Sequence, residues 1–176
     1  MGYSYNLAGE LTSETYPSGR VVSYAFDNAA RLSQVSSGAT VYANQFDYTS
    51  PTGLLKSVTL GNGAIESYVY NARLQLQSLD LTKNGTQVQH YDYKYGAYDA
   101  ATNTVDRMKN NGQIAQIEGF IGTQQQWQQS FVYDTVGRLS SAREFRGDNG
   151  TQSYLSNYDY DVFGNRYQKQ ARNGNN

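Results

Sequence analysis

The sequence predicts an all-β protein: an antiparallel meander of β-hairpins laid out as a curved or spiralling strip of sheet. Three observations predict it. First, an aromatic residue is followed two positions on by another at seven places: Tyr3/Tyr5, Tyr24/Phe26, Phe46/Tyr48, Tyr68/Tyr70, Tyr91/Tyr93, Phe131/Tyr133 and Tyr158/Tyr160. Second, the second aromatics recur with initial gaps of 21, 22, 22 and 23 residues, the period of a repeat array whose units bury their apolar faces against one another. Third, the pair is most often followed by Asp or Asn and then a short polar stretch, as in Tyr133-Asp134-Thr135-Val136-Gly137-Arg138-Leu139.

Each element follows from these. Aromatics at i and i+2 share one side of a strand, whereas on a helix they would lie about 200° apart. Asp or Asn bonds its own backbone and Gly takes positive φ, so the stretch after each pair is a tight turn. Tyr5-Asn6-Leu7-Ala8-Gly9-Glu10-Leu11 and Phe26-Asp27-Asn28-Ala29-Ala30-Arg31-Leu32 keep the spacing with altered letters, and Tyr160-Asp161-Val162-Phe163-Gly164-Asn165-Arg166 keeps the turn but changes the ending. A second turn signal falls half a repeat later, at Pro17-Ser18-Gly19, Ser37-Gly38, Gly61-Asn62-Gly63, Asn84-Gly85 and Asn149-Gly150, which makes each repeat strand, turn, strand, turn. Alternation then places Val22, Tyr24 and Phe26 on one face, and Tyr42, Asn44, Phe46 and Tyr48 together on a face in the next run. Between Tyr93 and Tyr133 the gap widens to 40, which reads as an ordinary repeat with a loop inserted around residues 96–106 and a strand at Gln113 to Phe120. The Gln124–Gln129 run around Trp127 reads as a solvent-facing edge strand, with an interaction tract as the alternative. The whole chain, 1–176, is expected to be a single array of about seven copies.

Composition supports a strip over a thick core. Leu, Val, Ile and Phe together make 33 of 176 residues, under a fifth, while 17 Tyr supply apolar area with a hydroxyl that can stay hydrogen-bonded. Fourteen basic and 15 acidic residues are scattered to a net charge of −1, which gives none of the basic patches that drive nucleic-acid binding. No apolar run approaches the roughly 20 residues of a membrane-spanning helix, and the first residues do not read as a signal peptide. With no Cys, disulfides, thiolate catalysis and Cys-based metal sites are excluded.

The residues with chemical potential each have a structural reading. His90, the only His, falls on the strand face opposite the aromatic pair, as a solvated or packed side chain. Asp159 and Asp161 could flank a glycosidic bond as paired carboxylates, yet Asp161 is the turn Asp that recurs at Asp27 and Asp134. Asp99 to Asp106 offers oxygen ligands without the acidic spacing of a dedicated calcium loop. Asn84-Gly85-Thr86 and Asn149-Gly150-Thr151 fit both a glycosylation sequon and a hairpin turn. No catalytic residue, metal ligand or cofactor is therefore assigned.

The heptad Tyr133 to Leu139 and the stretch Tyr158 to Arg166 resemble the repeats of the RHS/YD-repeat family, a resemblance carried over most of the chain by spacing. It implies a long β-sheet forming part of a hollow shell, as in bacterial polymorphic toxins, insecticidal toxin complexes and teneurins, and a secreted or cell-surface parent protein. The Asp-Pro-rich segment that closes such shells has no counterpart, so no autoproteolytic residues are carried over, and the chain is expected to be a fragment of a larger array. The expected structural residues are Tyr5, Phe26, Tyr70, Tyr133, Asp134, Gly137, Arg138, Leu139, Tyr160, Asp161, Gly164 and Arg166, with the aromatics in cross-strand ladders and Arg138 bonding a neighbouring turn's carboxylate or carbonyl. The expected partners are the remaining repeats of a parent chain, or other copies of this one through edge strands. The alternative is a carbohydrate-binding module that stacks sugars on exposed rings, with Trp127 as the candidate glycan contact.

Overall fold

The computed structural model describes residues 1–147 and 150–173, with 169–173 described by backbone alone. Asn149 of the predicted Asn149-Gly150 turn and sequon, and the terminal 174–176, lie outside the described residues. Sixteen strands follow in chain order: β1 (Gly2–Tyr5), β2 (Leu11–Thr15), β3 (Val21–Phe26), β4 (Leu32–Ser37), β5 (Thr40–Tyr48), β6 (Leu55–Leu60), β7 (Ala64–Tyr70), β8 (Leu76–Lys83), β9 (Thr86–Tyr95), β10 (Ala97–Asp99), β11 (Thr104–Asp106), β12 (Ile114–Ile121), β13 (Gln124–Tyr133), β14 (Leu139–Arg146), β15 (Gln152–Tyr160) and β16 (Arg166–Asn173). Fourteen pair in sequence order as an open antiparallel sheet with β1 and β16 at its edges, while β10 and β11 form a separate hairpin. This is the predicted meander. By contacts the chain divides into two compact units, Met1–Val69 with Asp80–Thr86, and Tyr70–Leu79 with Gln87–Asn176.

The interior is thin, as a Tyr-rich strip requires. The buried apolar residues are small, Val22, Val58, Ala64 and Ala115, and polar side chains are buried beside them: Gln116, Gln128, Ser130, Ser141 and Ser156. A buried amide or hydroxyl is tolerated only when hydrogen-bonded, and Gln116 and Gln128 both donate to Ser130 Oγ at 3.3 Å. Hairpin chemistry supplies the second turns. Asn84 and Gly85 take φ of 51° and 75°, the paired positive angles of a type I′ turn, whose twist suits two strands.

Three expectations about organisation are corrected. The insertion is an ordered hairpin, β10–β11, followed by a 3-10 turn at Arg107–Lys109. It stands in place of a motif turn, and Tyr95, paired with Ile114, takes the strand-end position expected of Tyr93. The run Tyr42 to Tyr48 does not keep one face. Gln45 has φ 51°, and the pairing steps from Asn44↔Thr59 to Asp47↔Ser57, so this extra residue is a bulge that turns Phe46 and Tyr48 to the side opposite Asn44. Finally, the glutamine run is not at an edge. β13 lies between β12 and β14, and Gln128 is buried, donating to Asn103 of the insertion at 2.7 Å.

Candidate functional site

The motif builds the same turn five times. In the turn at Asp134, Oδ1 accepts from the Val136 amide at 3.1 Å and the Arg138 amide at 2.8 Å, and Oδ2 accepts from Arg138 Nε at 2.7 Å. The backbone closes it with Asp134 N–H to Arg138 O at 2.8 Å and Gly137 N–H to Asp134 O at 3.0 Å. Asp27 repeats every contact with Ala29 and Arg31, and Asp161 repeats them with Phe163 and Asn165, whose Nδ2 stands in for the guanidinium at 2.9 Å. Gly137 and Gly164 sit at φ 88° and 84°, as expected of Gly where the chain must turn left-handed. Ala30 and Leu74 hold the same position at 59° and 62°, a conformation that costs an L-residue roughly 1–2 kcal/mol.

The composition reading missed the link between the first and fifth turn residues. Asn6 and Asn71 accept the same two amides as the Asp residues do. Their Nδ2, a donor where Asp has an acceptor, gives its proton to Glu10 and Gln75 respectively. Asp is thus followed four residues later by a donor, Arg31, Arg138 or Asn165, and Asn by an acceptor, Glu10 or Gln75. Hydrogen-bond complementarity demands this, and reading the turns side by side at positions one and five would have revealed it.

These bonds set the electrostatics. The Arg31 guanidinium and amide hold the Asp27 carboxyl below the usual carboxylate range. The Arg138 amide and guanidinium do the same at Asp134, and the Asn165 side chain and amide at Asp161. Arg138 therefore serves its own turn's carboxylate, not a neighbouring turn's as expected. Its reach to the neighbour is through the ring: the guanidinium lies 4.1 Å from the Tyr160 centroid, as Arg31 lies 4.5 Å from that of Tyr48, a cation–π contact.

The motif tyrosine completes the link. Tyr48 donates to Leu32 O at 2.7 Å, Tyr95 to Leu76 O at 3.0 Å, Tyr133 to Ile114 O at 2.9 Å and Tyr160 to Leu139 O at 2.8 Å. Each acceptor is the residue just after the preceding turn. Beside that residue the ladder skips one position: Ala25↔Gln34 is followed by Phe26↔Leu32, Lys94↔Gln116 by Tyr95↔Ile114 and Val132↔Ser141 by Tyr133↔Leu139. The carbonyl flanking this bulge is where the next motif's hydroxyl docks. Hydroxyl-to-carbonyl clamps, with an Arg over the ring at Tyr48 and Tyr160, thus take the place of the expected ring-on-ring ladder at these positions. Burial raises the Tyr133 and Tyr95 hydroxyls above the ordinary tyrosine range. Of the remaining expected residues, Tyr5 lies exposed on β1, Phe26 has a clamp position without a hydroxyl, Tyr70 ends β7, and the Arg166 guanidinium lies 4.7 Å from the Tyr158 centroid.

The residues with catalytic or binding potential are held structurally. His90 meets the Phe120 ring at 5.4 Å and Asp92 at 3.3 Å. Asp99 accepts from the Ala101 amide and Asp106 from the Met108 amide, so these carboxylates shape the insertion. Among the described residues no group of three or more His, Cys, Asp or Glu is placed to hold a metal. Trp127 pairs with Gly119, where a Cβ would stand 2.5 Å from its ring, and tilts against Tyr91 at 5.9 Å. One face of the candidate glycan contact is therefore spent covering a strand glycine.

The RHS Repeat family model matches residues 5–41. A search of curated proteins found no match. Among solved structures the fold is similar to a TcdB2-TccC3 crystal structure, with TM-score 0.73 and 19% identity over 97% of this chain and 9% of that one. It is also similar to the Photorhabdus luminescens Tc holotoxin pore, with TM-score 0.70 and 18% identity over 97% and 9%. The chain thus spans about 9% of the length of these matches. One turn rebuilt five times along a meander that shares the fold of these structures, with the RHS Repeat model met at residues 5–41, is the arrangement that the resemblance to RHS/YD repeats predicts.

Proposed function

We propose that this chain is a non-catalytic structural segment of an RHS/YD-repeat shell or scaffold, one that encloses or presents a toxin or effector domain in a secreted or cell-surface protein. The observation that carries this is the use of the motif side chains. Asp27, Asp134 and Asp161 each spend both carboxylate oxygens on their own turn, and the hydroxyls of Tyr48, Tyr95, Tyr133 and Tyr160 are spent on the preceding one. A motif repeated for chemistry would leave a group free to meet substrate, whereas one repeated for stacking consumes its polar groups internally. Similarity in fold to parts of Tc toxin chains supports a wall of this kind.

The parent reading frame and its product provide the test. The expected result is further aromatic-x-aromatic-Asp/Asn motifs at 21–23-residue spacing flanking this stretch, and a protease-resistant segment in the full-length product that becomes sensitive when residues 1–176 are deleted. A product digested equally with and without this stretch overturns enclosure. Secretion is checked by fractionating the producing cells.

A further inference from the structure

We propose that the two edges of the sheet recognise each other, so that copies of this chain associate head to tail, β1 of one copy adding to β16 of the next. The inference rests on the reading of the motif as a clamp between successive repeats. Every clamp needs a tyrosine hydroxyl at a strand end and the carbonyl of the residue that opens the neighbouring earlier strand of the sheet.

At one edge the hydroxyl stands without its carbonyl. Tyr5 pairs with Leu11 beside the same skipped position as Tyr133 with Leu139. It is 62% exposed, and its hydroxyl makes no hydrogen bond among the described residues. The Thr12 hydroxyl donates to Ser4 O, so Ser4 turns its backbone groups inward, and alternation turns those of Tyr3 and Tyr5 outward. β1 carries neither charge nor proline, the two devices that most simply blunt an edge.

At the other edge a carbonyl stands without its hydroxyl. Arg166 pairs with Tyr160 at the same place after its turn as Leu139 pairs with Tyr133, with the skipped position further along the ladder, between Asn157↔Gln170 and Tyr158↔Gln168, and it follows a turn closed by Asp161 N–H to Asn165 O at 3.1 Å. Since the Asn165 carbonyl points in, that of Arg166 points out, where Leu139 O meets Tyr160. A missing acceptor on one edge and a missing donor on the other, built by one turn geometry, select a second copy over an unrelated strand. The net charge of −1 opposes the contact little. The contact is heterologous, and it closes into rings or extends into filaments according to its rotation.

Sedimentation and light scattering over a concentration series test this with the chain as it stands. The expected result is mass rising with concentration. Tyr5→Phe should weaken association about five-fold, the equivalent of one hydrogen bond. Tyr3→Pro removes an outward N–H that serves no intramolecular bond and should abolish association with an unchanged melt. Because the chain has no cysteine, the double variant Ser4→Cys, Arg166→Cys should give a ladder of oxidised multimers, and each single variant at most a dimer. A strict monomer at all concentrations, or cross-links joining only β1 to β1, overturns the proposal. Flanking repeats in the parent frame beside a strictly monomeric chain would remove this inference and leave the proposed role standing. Self-association of a chain without such flanks would do the reverse.

Discussion

Removing a single oxygen, Tyr133→Phe, isolates the clamp from everything else the ring does. The ring is half-buried and stays in place, and only the 2.9 Å bond to Ile114 O is lost. A net hydrogen bond is worth about 0.5–1.5 kcal/mol, and because the site is half-open, water can partly serve the carbonyl left behind. The expected loss is therefore about 1 kcal/mol, equivalent to about 2–4 °C in Tm for a chain of this size. Tyr133→Ala, which also removes the ring, should cost about 2–3 kcal/mol, less than full burial would give. The assay is urea unfolding followed by Trp127, the single tryptophan, which lies on the same strand, β13, as Tyr133. The midpoint should fall while the m-value holds. The reverse change, Phe26→Tyr, places a hydroxyl where Leu11 O occupies the acceptor position, and should gain up to about 1 kcal/mol. If Tyr133→Phe leaves the midpoint unmoved while Tyr133→Ala shifts it, the hydroxyl is incidental and the clamp is only ring packing.

Three further outcomes follow from the turns. Ala30→Gly and Leu74→Gly relieve left-handed strain at φ 59° and 62° and should each stabilise by about 0.5–1 kcal/mol after the entropy cost of glycine, whereas Gly137→Val should destabilise by at least about 1–2 kcal/mol; thermal melts decide the signs. Asp134→Asn places Nδ2 against Arg138 Nε and should lower Tm, and Arg138→Gln in the same chain should restore most of the loss, as the Asn71–Gln75 turn does naturally; additive losses in the double-mutant cycle would refute donor–acceptor matching. Stability should be flat between about pH 5 and 9. The lowered carboxyls of Asp27, Asp134 and Asp161 contribute stability that is lost as pH falls below about 4, and the raised hydroxyls of Tyr48, Tyr95 and Tyr133 contribute stability that is lost as pH rises above about 10. A melt that holds its plateau at pH 3 would show that the turn carboxylates do not couple to folding.

The fold was legible in one dimension because its determinants are local. Aromatic spacing of two reports a strand, Asp or Asn with Gly reports a turn, and hairpins joined by short turns can pair only with their sequence neighbours. The positions of Asp134, Gly137 and Gly164 in their turns were readable for the same reason, since the bonds that close those turns fall within four residues. What lay beyond the sequence is whatever depends on a contact 16–21 residues away or on a slip of one residue. The Tyr133–Ile114 and Tyr160–Leu139 clamps join residues 19 and 21 apart, and no pattern within a single repeat names the acceptor, because it is a backbone carbonyl that every residue has. Tyr95 displaced Tyr93 because the insertion removed the turn that would have marked the strand's end. Gln45 reversed a face because a bulge changes the parity of the two-residue period without changing composition. The sequence by itself determined the strands, the turns and their order; the tertiary structure alone decided which hydroxyl meets which carbonyl, because that choice rests on ladder register, which only the paired strands possess.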